Sequence, residues 1–151
     1  MPYDERFITP MRQELTRLGV QEMRTPEEVD QALADAKEPT LLVVNSMCGC
    51  AARNARPGVA MALAQAQKKP AKLTTVFAGQ DLEATARARD YITGYPPSSP
   101  SIALLKDGQI TFMLERWQIE GRSAAQIAAD LTRAFDEFCG ATDPAGRGAT
   151  E

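Results

Sequence analysis

Apolar positions along the chain follow two rhythms. In Leu41-Leu42-Val43-Val44 they run without a break, which predicts a strand over Thr40–Asn45 covered on both faces. Over 51–66 they recur every three or four residues, at Ala52, Ala55, Val59, Ala62, Leu63 and Ala66. That spacing predicts an amphipathic helix, kinked by the internal Pro57. A second strand reads at Lys72–Phe77. Strand, helix, strand forms a βαβ unit with a right-handed crossover.

The flanks carry weaker versions of the same signals. Thr9-Pro10 reads as the cap and first residue of a helix, with Met11, Leu15 and Leu18 on its inner face and Gly19 at its end. Thr25-Pro26-Glu27-Glu28 reads as a capping box for a second helix striped by Val29, Leu33 and Ala36. A helix over 81–92 turns Ala84, Ala88, Tyr91 and Ile92 to one side, and a proline-rich loop follows at 94–100. A strand over 101–105, an Asp107-Gly108 turn and a returning strand make a hairpin. In the returning strand Ile110, Phe112 and Leu114 alternate with Thr111, Met113 and Glu115, which predicts one buried face. Ser123 and Gln126 cap a closing helix whose stripe is Ala124, Ile127, Ala128, Leu131, Ala134, Phe135 and Phe138, with Gly140 as its stop. The domain therefore spans 1–140, and the Gly-, Ala- and Thr-rich segment 141–151 is expected to be flexible.

Composition narrows the classes. The chain of 151 residues is long enough to bury one proper core. A net charge of −3 gives no global attraction to nucleic acid or anionic lipid, so neither partner is expected. No apolar run reaches membrane-spanning length, and the first residues lack the basic and apolar regions of a signal peptide, so a cytoplasmic address is the expectation. Three cysteines in such a chain argue for redox or metal chemistry rather than a disulfide scaffold. The chain has no histidine, which removes Ser-His and Cys-His mechanisms and His-ligated metals.

The candidate chemistry is Asn45-Ser46-Met47-Cys48-Gly49-Cys50, where the first long strand passes into a helix. Free N–H groups and the helix dipole favour a thiolate there. Cys48 is the candidate nucleophile. Cys50 is a resolving thiol, or else a thiol that only tunes Cys48 or is buried. A one-residue spacer makes a small disulfide ring, for which Gly49 supplies backbone latitude. Cys139, at the end of the last helix, reads as a buried small hydrophobe. The competing class is a soft-metal carrier for Cu(I) or Zn(II) built on Met47, Cys48 and Cys50. A closed zinc site wants four ligands, and Cys139 is the one other thiol. An adaptor with incidental thiols is the third class.

A βαβ unit followed by a hairpin and a closing helix resembles the thioredoxin fold: an α/β protein with a central mixed sheet flanked by helices, here with extra N-terminal helices. The resemblance implies that Ser99-Pro100 carries a cis bond facing the thiols, its neighbouring carbonyls free to pair with an extended substrate. Asn45 to Ala52 with Arg56-Pro57 is similar to the bacilliredoxin family. So are Val76-Phe77-Ala78-Gly79-Gln80-Asp81, Tyr95-Pro96-Pro97-Ser98-Ser99-Pro100-Ser101 and Gln118-Ile119-Glu120-Gly121. The likeness departs at Trp117, where the family pattern has a histidine. It implies a thiol–disulfide oxidoreductase, with no bound cofactor or metal, that removes bacillithiol from bacillithiolated proteins. Cys48 and Cys50 would be catalytic, and Gly49, Ser99 and Pro100 would bind substrate. Cys48 would take up the bacillithiol, and Cys50 or a second bacillithiol would discharge it. An NADPH-dependent bacillithiol disulfide reductase would recycle the product. Arg53 and Arg56 would support the thiolate or bind bacillithiol carboxylates, if they are not solvated helix charges. The alternative within the same chemistry is a general disulfide reductase or isomerase.

Overall fold

The uninterrupted apolar run lies at the middle of the sheet, because only there can a strand bury both faces. In chain order the computed structural model, which describes residues 2–140, contains α1 (Glu5–Thr16), β1 (Gln21–Glu22), α2 (Pro26–Leu33) and β2 (Thr40–Asn45). A π-helical turn (Ala51–Ala55) leads into α3 (Arg56–Gln65), β3 (Lys72–Phe77) and α4 (Leu82–Arg89). Then come β4 (Ser101–Lys106), β5 (Gln109–Leu114), α5 (Arg116–Ile119) and α6 (Ala124–Phe138). The sheet order is β1-β3-β2-β4-β5, with β2 parallel to β3 and antiparallel to β4. The segment 141–151, expected to be flexible, lies outside the described residues.

All six residues of β2 are buried. Leu41 and Val43 point into one core with α3 and α6, while Leu42 and Val44 point into the other with α2 and α4. The two buried threonines of β3 are satisfied: Thr74 and Thr75 donate to the carbonyls of Leu41 and Val43, each at 2.7 Å. Helices α3 and α6 meet at Gly58, where a Cβ would fall 2.6 Å from Cγ2 of Ile127. The hairpin turn has positive φ at both Asp107 and Gly108, as an Asp-Gly turn of the primed type requires.

Several expectations are corrected. α1 begins five residues before Pro10, capped by Asp4, whose Oδ1 accepts from the Arg6 N–H at 2.9 Å. Pro10 sits on the exposed side of that helix, whose buried face is Ile8, Arg12 and Leu15; Met11 is only half-buried, while Leu18, just past the helix, packs against the core as expected. At α2, Thr25 accepts from Glu28 N–H as expected, but the Glu28 carboxylate turns back to the Arg24 N–H, 2.6 Å away. The π turn, in which Arg56 N–H bonds to the Ala51 carbonyl, shifts the helix phase. Ala51 is buried where Ala52 was expected, and Arg56 is turned inward. A bulge between Leu104 and Leu105 flips the alternation of β5: Phe112 and Leu114 join one core, while Ile110 and Met113 join the other. α4 is shorter than 81–92, and the short β1 and α5 had no periodic signal.

Candidate active site

β2 delivers the motif loop, and a buried arginine fixes the loop from inside the fold. Asn45 Oδ1 accepts from the Ser46 N–H at 2.8 Å, and Ser46 Oγ accepts from the Cys48 N–H at 3.0 Å. The Cys48 carbonyl accepts from Ala51 and Ala52, so the helical ribbon starts there. Arg56 is 2% exposed and donates to Asn45 Oδ1 (2.9 Å), the Ser46 carbonyl (2.8 Å) and Glu14 (2.8 Å). It is therefore a tie for the loop and not a solvated charge or a group open to bacillithiol's carboxylates. A buried guanidinium needs these acceptors, and the loop geometry is what supplies two of them.

Both motif thiols are free and half-buried, with their sulfurs 3.2 Å apart. Burial pushes the Cys48 thiol up. The Cys50 N–H (3.4 Å), the Cys50 thiol and the Arg116 guanidinium outweigh it, and Cys48 ends below the usual thiol value. Cys50 ends above it, through burial first and then the adjacent Cys48. The two shifts run in opposite directions, so Cys48 carries a negative charge more readily than Cys50. Cys139 is 4% exposed, and burial pushes it up to about 11, so it is inert at neutral pH. Gly49 does not have positive φ. Its missing Cβ instead leaves room for Arg53, whose Nη1 would lie 2.8 Å from that Cβ.

Arg116 carries no sequence signal and is central. Its Nη2 lies 3.7 Å from Cys50 Sγ, its Nη1 donates to the Ser99 carbonyl at 3.1 Å, and its Nε donates to Glu120 at 3.0 Å. The Ser99–Pro100 bond is cis. Pro100 is buried, and Ser99 lines the same open cleft, about 300 Å³, as Cys48, Met47 and Arg116. The Ser99 carbonyl already accepts one bond from Arg116, which leaves its second lone pair as the acceptor site. Tyr3 forms part of the cleft wall, held by a reciprocal pair of bonds between its backbone and the Gln80 amide, at 2.7 and 3.0 Å. Trp117 is 71% exposed and donates to Glu115. Among the described residues no group of three or more Cys, Asp or Glu side chains is placed to hold a metal ion. No described helix is long and apolar enough to cross a membrane.

A helix-capped dithiol beside a cis-proline loop can perform thiol–disulfide exchange. The family described as disulphide isomerase matches residues 3–139. A bacilliredoxin of Salinibacter ruber is 56% identical over 145 residues, covering 95% of this chain and 85% of the relative. A bacilliredoxin of Koribacter versatilis is 56% identical over 140 residues, covering 93% and 96%. Among solved structures, thioredoxin O2 from Arabidopsis thaliana aligns with a TM-score of 0.51 at 14% identity, covering 79% of this chain and 96% of its own. A Malassezia sympodialis thioredoxin aligns with a TM-score of 0.50 at 13% identity, covering 79% and 90%. These two likenesses bear on the fold alone, which is α/β and thioredoxin-like.

Proposed function

This chain belongs to the bacilliredoxin family of thiol–disulfide oxidoreductases, and on that premise we propose that it removes bacillithiol from protein mixed disulfides in the cytoplasm. The observation that supports this reading is the asymmetry of the dithiol: Cys48 is lowered and opens on the cleft, and Cys50 is raised with its sulfur 3.2 Å away. Cys48 thiolate attacks the bacillithiol sulfur, the protein thiolate leaves, and Cys48 carries the bacillithiol. Cys50 then attacks Cys48 and releases bacillithiol, or a second bacillithiol does so. Ser99, Pro100 and Gly49 shape the surface on which the mixed disulfide lies. An NADPH-dependent bacillithiol disulfide reductase returns the oxidised product to the pool.

Intact-mass spectrometry after mixing with a bacillithiolated protein tests this. The expected product is the freed target together with a bacillithiol adduct that accumulates on Cys48 in Cys50→Ser. An adduct found in Cys48→Ser instead would reverse the two roles. A second reading, general disulfide isomerase, is favoured by the description of the matching family. Efficient rearrangement of a scrambled protein with no transfer from a bacillithiol mixed disulfide would select it.

A further inference from the structure

The resolving step has a chemical need that the thiols do not meet themselves. Cys50 must lose a proton as it attacks, yet its thiol is held up by burial and by Cys48. The chain has no histidine to take that proton. The groups that face Cys50 are Cys48 from its own segment and Arg116 and Glu120 from and beside α5, while Arg53 lies over Gly49 one turn on. Of these, only Glu120 can accept a proton from the thiol without itself being a redox sulfur. Its Oε2 accepts from Cys50 Sγ at 3.8 Å, and the same oxygen accepts from Arg116 Nε at 3.0 Å.

We infer that Glu120 is a catalytic residue, the general base that takes the Cys50 proton during ring closure, and that Arg116 holds it there. Two things position Glu120. It follows the four-residue α5, and its N–H bonds back to the Arg116 carbonyl at 2.8 Å, which closes the turn and stacks the two side chains. The Asn54 amide donates to the Ile119 carbonyl at 3.2 Å and docks α5 on the helix that carries the thiols. Arg116 reaches the sulfur with Nη2, the carboxylate with Nε and the cis-proline loop with Nη1. It therefore stabilises the sulfur as negative charge develops, while Glu120 removes the proton.

The step balances as follows. The reactants are Cys48 in a mixed disulfide with a leaving thiol, the Cys50 thiol and the Glu120 carboxylate. The Cys50 S–H bond breaks toward Glu120, the Cys50 sulfur forms a bond to Cys48 sulfur, and the old S–S bond breaks toward the leaving thiol. Cys50 sulfur is oxidised and the leaving sulfur is reduced by the same electron pair. The proton rests on Glu120 and passes to the departing thiolate or to water. The inference depends on the reading of Cys50 as the resolving thiol.

The test uses the full chain and the symmetrical disulfide of thionitrobenzoate, so that it does not depend on bacillithiol. In stopped flow the attack of Cys48 releases one coloured thionitrobenzoate, and closure by Cys50 releases a second. Cys50→Ser should lose the second phase. In Glu120→Gln the ratio of second-phase to first-phase rate should fall about 100-fold at pH 7. The deficit should shrink as pH rises and Cys50 ionises unaided, and Glu120→Asp should recover part of it. A second phase in Glu120→Gln equal to the parent's at every pH overturns the inference and leaves the resolving role of Cys50 intact. A parent that shows no second phase removes both. A loss in Glu120→Gln that stays constant with pH also overturns it, because a merely structural role would behave that way.

Discussion

Two arginines, Arg12 and Arg116, have the same side chain and opposite fates. Arg12 is 4% exposed. Its five N–H groups are all taken: Nε and Nη2 by Glu5, Nη1 by Glu22, and Nη1 and Nη2 by Asp81, at 2.6–3.1 Å. Its plane also lies over the Phe77 ring, 5.4 Å from the centroid. Three carboxylates from α1, β1 and the β3–α4 loop are thereby clamped to one point. Arg116 has a side chain 42% exposed, one exposed carboxylate, one carbonyl and one sulfur at a long 3.7 Å. A saturated guanidinium has no donor left for a changing partner, and pulling one partner away exposes an unpaired charge. A guanidinium shared with a sulfur can follow that sulfur from thiol to thiolate to disulfide. Burial and saturation mark the first as architecture, and partial exposure beside sulfur marks the second as chemistry.

The sharpest separation comes from removing one centre and reading both properties. Cys48→Ser should abolish transfer from a bacillithiolated protein, to less than about a thousandth of the parent rate, while the thermal midpoint stays within about 2 °C, since one oxygen replaces one half-buried sulfur. Arg12→Met should do the reverse. It leaves Glu5, Glu22 and Asp81 facing one another, and breaking a buried ion cluster from one side costs about 3–5 kcal/mol. Urea unfolding should show that loss, while the fraction still folded keeps the parent rate per molecule. If Arg12→Met unfolds at the parent's urea midpoint, the cluster is not a clamp.

Why neither arginine was visible in advance is a matter of range. β2, β3 and the Asp107-Gly108 turn were legible because each is decided by a few adjacent residues. The thiol motif was legible for the same reason, since a strand-to-helix junction is local. The partners of Arg12 include Asp81, which is 69 residues away, and Arg116 approaches Cys50 across 66. No periodicity reports such meetings. The π turn and the β4–β5 bulge each insert a single backbone step that no side chain announces, so Arg56, Ala52 and Ile110 were assigned to the wrong faces. α5 has four residues, too few to show a helical rhythm, and it carries the arginine that reaches Cys50.

Arg116→Gln sharpens the comparison from the chemical side. Its pair with Glu120 is exposed, so the expected cost to stability is small. The Cys48 thiol, however, loses a positive neighbour that helps to hold it down. Alkylation of Cys48 by iodoacetamide should therefore need a higher pH, and at pH 7 it should slow by about two- to tenfold. Cys139, held up to about 11 by burial, should stay unreactive in parent and variant alike until the chain unfolds. Equal alkylation profiles for Cys48 in the two proteins would break the link between Arg116 and the thiolate.

The smallest effect lies at the edge of the Arg12 cluster and is read in acid. The Arg12 guanidinium, helped by Gln80 and Thr9 and opposed by burial, holds the Glu5 carboxyl down from an ordinary 4.5 to about 2. A carboxyl depressed in the folded state contributes stability that is fully present above its unfolded value. That contribution fades as pH falls from about 4.5 toward 2, because protons then bind the unfolded chain first. Glu5→Gln should therefore be less stable than the parent at neutral pH, and the two should converge by pH 2. The Glu5 side chain is 41% exposed, so solvent and salt screen the pair and the neutral difference should stay below about 1 kcal/mol. It should shrink further in high salt, whereas the deficit of Arg12→Met, centred on a side chain only 5% exposed, should hardly change. Urea midpoints at several pH values with and without salt measure both. If Glu5→Gln keeps a constant deficit down to pH 2, the Glu5 carboxyl is not the group that acid releases. The thiol pair gives the opposite pH signature, since its reactivity rises toward alkaline pH while the fold is unchanged. A pH titration alone should therefore separate the two regions, with acid loosening the clamp and alkali arming the site.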